Sequence, residues 1–174
     1  MLASLKGLGI RPSSDKVKEA LFSLIGQDIT NLTVLDLFAG TGSLGIDALS
    51  RGAICAIFID KSRNCLRLIK KNLSLCGYDN SGTVLKRDLS KGLPWKHPLM
   101  KKDFDLVFVD PPYGKGFIPP LLKEFSMQEV LSSTALVVAE SSKNDELPPK
   151  VGNLQLIDTR IYGETKIDIY RKWS

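Results

Sequence analysis

Short apolar runs alternate with stretches of helical periodicity along most of the chain. Residues 14–26 place Val17, Leu21, Leu24 and Ile25 at helical spacing, with Ser13 or Ser14 able to cap the start and Gly26 able to end it. Thr33 to Phe38 is a short β-branched and apolar run that suits a buried strand, and Leu44 to Ser50 reads as helix. Ala53 to Ile59 repeats the strand pattern up to Asp60, and residues 62–75 return to helix with Leu66, Ile69 and Leu73 on one face. Strands are predicted at Gly82 to Asp88 and Phe104 to Asp110, a helix over 117–131, and a fifth strand at Ala135 to Ser141. Two further strand-like runs, Asn153 to Arg160 and Thr165 to Arg171, flank a turn at Tyr162-Gly163.

Continuously apolar strands that alternate with helices predict a mostly parallel sheet covered on both faces. The last two strands are joined by too short a turn for a parallel crossover, so they are expected to pair as an antiparallel hairpin. The expectation is an α/β, Rossmann-like sheet of seven strands in one domain spanning residues 1–174, with residues 1–30 packing on the core as an N-terminal segment and helix.

The chain closes one strand and opens the next helix with Gly40-Thr41-Gly42-Ser43-Leu44-Gly45. This G-x-G-x-x-G pattern is weak alone, but here it stands between a predicted strand and a predicted helix. Glycines there permit a tight turn and close approach of a ligand to the backbone. Asp60, at the end of the next strand, can accept both ribose hydroxyls of a nucleoside cofactor. NAD and S-adenosylmethionine both fit this outline. Asp36, four residues before Gly40, separates them, because a carboxylate there would repel a pyrophosphate but suits a sulfonium and an ammonium. Asp36, Asp60, Asp88 and Asp110 all end or nearly end predicted strands. In an open α/β sheet ligands bind outside those ends.

Asp110-Pro111-Pro112-Tyr113 follows the fourth strand. Methyl transfer to an exocyclic amine requires two acceptors that draw the planar nitrogen toward a tetrahedral form. The Asp110 carboxylate and the Pro111 carbonyl can serve, with the two prolines restricting that carbonyl's position. Tyr113 offers an aromatic face for a base, typically worth about 1–3 kcal/mol. Catalysis would then be mostly positioning and electrostatics.

Composition narrows the class. Hydrophobic content of 43% and charged content of 25% are ordinary for a globular protein, and no apolar run could span a bilayer. No long apolar segment of a secretory signal opens the chain, so a cytoplasmic location is expected. The three cysteines, Cys55, Cys65 and Cys76, lack Cys-x-x-Cys spacing. With His97 the single histidine, no metal is expected. Net charge is +5, concentrated between Lys61 and Lys102, where eleven Lys or Arg face two acids, Asp79 and Asp88. That density is either a solvated surface or the electrostatic footprint of a polyanion such as RNA.

The segments Arg11 to Phe22, Val34 to Ala53, Phe108 to Gly114 and Tyr162 to Arg171 together resemble the bacterial 16S rRNA guanine-N2 methyltransferase family typified by RsmD, within the class I S-adenosylmethionine-dependent methyltransferases. The resemblance implies S-adenosyl-L-methionine as cofactor and S-adenosyl-L-homocysteine as product. It places the methionine part by Asp36 and by Phe38, Ala39, Gly40, Thr41 and Gly42, the ribose at Asp60, and the adenine near Lys61 and Asp88. It implies that Asp110, Pro111, Pro112 and Tyr113 hold a flipped-out guanine. Arg11, Lys16, Lys18 and Lys115 become candidate RNA contacts. The implied partner is 16S rRNA or the assembling small ribosomal subunit, with the protein a monomer. That family usually carries a longer basic segment before Arg-Pro, whereas here Lys6 alone precedes Arg11. An adenine-N6 methyltransferase acting on RNA or DNA, or a catalytically inactive RNA-binding relative, are the alternative functions.

Overall fold

In the computed structural model, which describes residues 15–26 and 28–173, the elements follow the order α1 (Asp15–Ile25), β1 (Thr33–Leu37), α2 (Ser43–Ser50), β2 (Cys55–Asp60), α3 (Arg63–Cys76), β3 (Gly82–Lys86), β4 (Phe104–Val109), α4 (Ile118–Met127), β5 (Leu131–Ser142), β6 (Lys150–Val151), β7 (Leu154–Tyr162) and β8 (Thr165–Lys172). The strands form one sheet in the order β3-β2-β1-β4-β5-β8-β7-β6. The first five are parallel, and β8, β7 and β6 add antiparallel neighbours. The fold class is the expected one, with one strand more, because a two-residue edge strand such as β6 leaves no periodic trace. Among the described residues no helix is long and apolar enough to cross a membrane.

Strand alternation divides the core in two. Leu35, Leu37, Ile57, Ile59, Val107 and Val109 face α4 and the segment between β3 and β4. Val34, Ala56, Phe58, Leu106 and Phe108 face α1, α2 and α3 on the other side. The apolar face of α1 is seated here, with Phe22 edge-on to Phe108 at 5.8 Å between ring centres and Arg51 over the Phe22 ring at 4.3 Å.

One boundary departs from the pattern. Helix was expected over 117–131, but α4 ends at Met127, Gln128 is extended, and β5 begins at Leu131. Leu131 is buried and pairs with Phe104, and the carbonyl of Val130 accepts from the Phe104 N–H at 2.8 Å. Phe104 thus draws these residues into the sheet. The register then shifts, so that Leu106 pairs with Leu136. Polar Ser132, Ser133 and Thr134 fill the irregularity, which hides the strand from a period-two reading.

The joint between β1 and α2 is the most constrained part of the fold. Asp36 points to the α2 face, is 2% exposed, and accepts from the Gly45 N–H at 3.0 Å. Burial pushes its carboxyl up to about 8; the Gly45 hydrogen bond works against the shift and the charge of Asp60 adds to it. Gly45 leaves room for this contact, since a Cβ there would meet Phe58 Cε1 at 2.4 Å.

Two outcomes follow from the joint. Gly45→Ala gains up to about 1 kcal/mol of helix propensity, but it overpacks a fully buried ring at a typical cost of about 1–3 kcal/mol. Net destabilisation in urea unfolding is the expected result, and an unchanged or raised midpoint would contradict it. Asp36 has a folded-state pKa above its unfolded one, so its contribution is intact below the ordinary carboxylate range. It is lost as pH rises toward about 8, where the unfolded chain has released a proton that the native state retains. Asp36→Asn should flatten this part of the stability profile. Urea midpoints of the two proteins that ran parallel between about pH 5 and pH 8 would refute the assignment.

Candidate active site

The strand register gathers the candidate residues on one rim. Leu37 pairs with both Ile59 and Val109, Val109 pairs with Ala139, and Asp60 pairs with Lys86. The residues at or just past these positions, Phe38, Asp60, Asp88, Asp110 and Glu140, therefore lie along the carboxyl edge of the parallel sheet. The chain leaves β1 toward β2 on one side, whereas β4 lies on the other, so the order reverses between β1 and β4. A crevice opens at such a reversal, and ligands of open α/β sheets occupy it.

The glycine loop is tightly fixed. Phe38 adopts φ 56°, a conformation that costs a bulky residue of order 1–3 kcal/mol. Gly40 at 59° and Gly42 at 78° adopt it without a side-chain clash. The strain at Phe38 is held from several directions. The Ala39 N–H donates to the Ile59 carbonyl at 3.1 Å and the Gly42 N–H to the Ala39 carbonyl at 2.8 Å. Asp60 accepts from the Gly40 N–H at 3.0 Å and, through its other oxygen, from the Ser62 N–H at 2.8 Å. The buried Asn72 donates its Nδ2–H to the Thr41 carbonyl at 3.0 Å. Asp88 caps the turn after β3 by accepting from the Ser90 N–H. The hydroxyl and amide of Ser90 hold its carboxyl below the usual range, and Lys61 and Lys91 reinforce the effect. Lys61 and Asp88 thus lie close enough to influence one another.

Across the crevice, Pro111 is buried, Pro112 is exposed and Tyr113 is half-buried. The Tyr113 hydroxyl lies 3.3 Å from Glu140 Oε1 and 3.1 Å from Thr165 Oγ1. Pro111, Pro112, Tyr113, Phe117 and Glu140 line a cleft of about 160 Å³. The Phe38 and Phe117 rings meet at 5.1 Å, so the glycine loop and the segment after Tyr113 are in direct contact.

The structure therefore brings Asp36 through Gly42, Asp60, Lys61, Asp88 and the Asp110 to Tyr113 segment to one edge of the sheet. Lys18, a candidate RNA contact, turns inward: its Nζ donates to Ser43 Oγ at 2.7 Å, and Asp15 is 3.5 Å away. Lys16 and Lys115 are exposed, and Arg11 lies outside the described residues. Asp36, its carboxyl pushed up by burial, accepts from the Gly45 N–H and anchors the start of α2 beneath the loop.

Sequence reasoning passed over Asn72, Phe117 and Thr165. Asn72 had a usable signal, a polar residue one turn from Ile69 on the apolar face of α3. Thr165 had none, because its place depends on the β5–β8 pairing that sets it against Ser142. Glu140 is 7% exposed and lines the cleft. Trp95 is a partly buried anchor. Its Nε1–H donates to Glu124 Oε2 at 2.7 Å, and its ring stands edge-on to Phe125.

Comparison with known proteins agrees with this geometry. The family model described as conserved hypothetical protein 95 matches residues 1–171. The Bacillus subtilis protein named "Putative rRNA methyltransferase YlbH" is 36% identical over 173 residues, covering 98% of this chain and 92% of that protein. Ribosomal RNA small subunit methyltransferase D of Escherichia coli K12 is 31% identical over 168 residues, covering 94% and 80%. A solved structure of a conserved hypothetical protein from Streptococcus pyogenes superposes with a TM-score of 0.81 at 34% identity, covering 90% of this chain and 95% of that one. The chain belongs to the family of conserved hypothetical protein 95, whose members include these bacterial methyltransferases.

Proposed function

We propose that the protein transfers a methyl group from S-adenosylmethionine to the exocyclic N2 amine of a guanine in small-subunit ribosomal RNA. One observation carries the reading: the glycine loop after β1 and the Asp-Pro-Pro-Tyr segment after β4 stand side by side at the reversal of strand order, joined by the Phe38–Phe117 contact. The names of the relatives from Bacillus subtilis and Escherichia coli supply the substrate class.

The residues present fit the cofactor. Gly40 and Gly42 leave the loop backbone open to close approach. Asp60 uses one acceptor position on each oxygen for a backbone N–H, and a carboxylate offers about four in all, which leaves capacity for two ribose hydroxyls. Lys61 and Asp88 would flank the adenine. S-adenosylmethionine, when bound, supplies an electrophilic methyl group.

The protein's own work is on the amine. Asp110 and the Pro111 carbonyl would accept its two hydrogens and draw the nitrogen lone pair out of the ring. Pro111 is followed by Pro112, which biases it to an extended conformation and restricts the direction of its carbonyl. Tyr113, its hydroxyl fixed to Glu140 and Thr165, presents its ring as a stacking surface. The nitrogen proton becomes acidic only as the new bond forms, so a strong base is unnecessary. The guanine must leave its stack to reach the cleft.

Three experiments test the reading. Isothermal calorimetry should show binding of S-adenosylmethionine, and mapping of N2-methylguanine in rRNA should lose one site when the gene is deleted. An unchanged map would refute the assignment. Asp110→Ala should reduce transfer at least about 100-fold, the scale of a lost charge-stabilising contact. Its cofactor affinity should change by less than about fivefold, roughly 1 kcal/mol. Loss of cofactor binding by this variant would move Asp110 from the chemistry to the cofactor pocket.

A further inference from the structure

An antiparallel strand of alternating pattern ordinarily turns its polar side chains to water. In β8, Ile167 and Ile169 pack into the core beside α1, α2 and α3, which leaves Lys166, Asp168 and Tyr170 on the opposite face. That face is not wet: none of the three is more than 9% exposed. Burying a lysine and an aspartate costs free energy even when the two are paired, so the question is what covers them.

They meet the strap of residues 143–149 that joins β5 to β6. Lys166 Nζ donates to the carbonyl of Asp145 and stands 3.4 Å from Asp168 Oδ2. Asp168 accepts in turn from the Thr159 hydroxyl at 2.6 Å. The Tyr170 hydroxyl donates to the carbonyl of Pro148 at 2.8 Å, and burial raises its pKa, so it keeps that proton. The Leu156 N–H adds a bond to the Pro149 carbonyl at 2.9 Å. The ties from Lys166 and Tyr170 thus fall on either side of Glu146 and Leu147. Those two residues line the same cleft as Pro111, Pro112 and Tyr113, and Leu147 is partly buried against the sheet core. The cleft has two walls from distant parts of the chain, the Asp-Pro-Pro-Tyr segment and the strap.

A base drawn out of its stack is held between aromatic and apolar side chains. Tyr113 offers the aromatic one. We propose that Leu147 is the apolar contact from the other wall, and that Lys166 and Tyr170 are positioning residues that hold the strap at a fixed distance from Tyr113. The proposal rests on the methyl-transfer reading above. It gives the buried polar face of β8 a purpose: a cleft wall without regular secondary structure is fixed by side chains of the sheet.

The test uses the full chain and an rRNA fragment carrying the mapped guanine. Rates are expressed per S-adenosylmethionine-binding site, which removes any loss through unfolding. Lys166→Met alone would strand the charge of Asp168, so the paired variant Lys166→Met/Asp168→Asn is compared with Tyr170→Phe, which removes one hydroxyl. Both should bind the cofactor like wild type and lose about tenfold or more in kcat/KM, because a small misplacement away from the chemistry is costly. Hydrogen exchange at the Asp145 and Leu156 amides should quicken about tenfold in both, the sign of a loosened strap. Leu147→Ala should lower kcat/KM at least about fivefold, chiefly through KM, without changing that exchange. Faster exchange with wild-type kcat/KM would reduce the polar face of β8 to a closure of the sheet, and unchanged exchange would mean that it does not hold the strap. Either result overturns the proposal, as does a Leu147→Ala variant with wild-type kcat/KM. If wild type binds the cofactor but methylates no guanine, the methyl-transfer reading fails and the role of Leu147 with it, whereas exchange in the variants still decides whether β8 holds the strap.

Discussion

The parallel pairing of β1 with β4 is the constraint on which the rest depends. From β1 the chain builds outward through β2 to β3, and from β4 through β5 to the antiparallel strands. Only at this pair do the two directions part, so only there does the carboxyl edge open into a crevice. The register Leu37 to Val109 puts the first residue of the glycine loop next to Asp110. A slip by one residue would also turn Asp36 from the α2 face to the opposite core, where Gly45 could not reach it. Burial on both faces makes such a slip costly. A buried apolar side chain is worth about 1.5–3 kcal/mol, and a slip misplaces several.

The loop that this pairing supports is strained at Phe38 and held by groups that are themselves committed. Asp60 joins the loop to the start of α3, and Asn72 ties it to the middle of the same helix. Lys18 adds a contact from α1. The loop is already shaped, so on the proposed function little ordering would remain to be done on cofactor binding. The buried Asp36 is the cost of that rigidity. It accepts from one amide, burial raises its pKa, and it costs stability as pH rises.

Much of this was legible in the sequence because parallel strands buried on both faces read as apolar runs. The runs at Val34, Ala56 and Leu106 could hardly be anything else, and the glycines and prolines marked the joints. The end of α4 was not legible. Its sequence continues with residues that tolerate helix, and Phe104, distant in sequence, decides that Leu131 joins the sheet. The surroundings of Asp36 were not legible for a related reason: its position in the motif was evident, but its burial is set by α2 closing over it. Thr165 escaped notice because it joins the cleft only through an antiparallel pairing between distant segments.

Three of the four aspartates of the rim are held by backbone amides. Asp36 accepts from Gly45, Asp60 from Gly40 and Ser62, and Asp88 from Ser90. Backbone amides thus hold these carboxylates in place, although the charge of Asp60 still raises the pKa of Asp36. The positive charge lies elsewhere. Arg63, Arg67, Lys70 and Lys71 are exposed on α3, and Lys86, Lys91, Lys96, Lys101 and Lys102 are exposed on β3 and the segment after it, at one end of the sheet. Arg87 is the exception, its guanidinium bound to the carbonyls of Gly92 and Lys91. If the protein acts on RNA as proposed, the basic band would draw phosphates to the β3 end and the base would enter the cleft after β4. On the proposed function, affinity and base choice then reside in different regions of the protein. Substitutions in the band should weaken binding to all RNA alike and lessen its salt dependence, without changing which base is methylated.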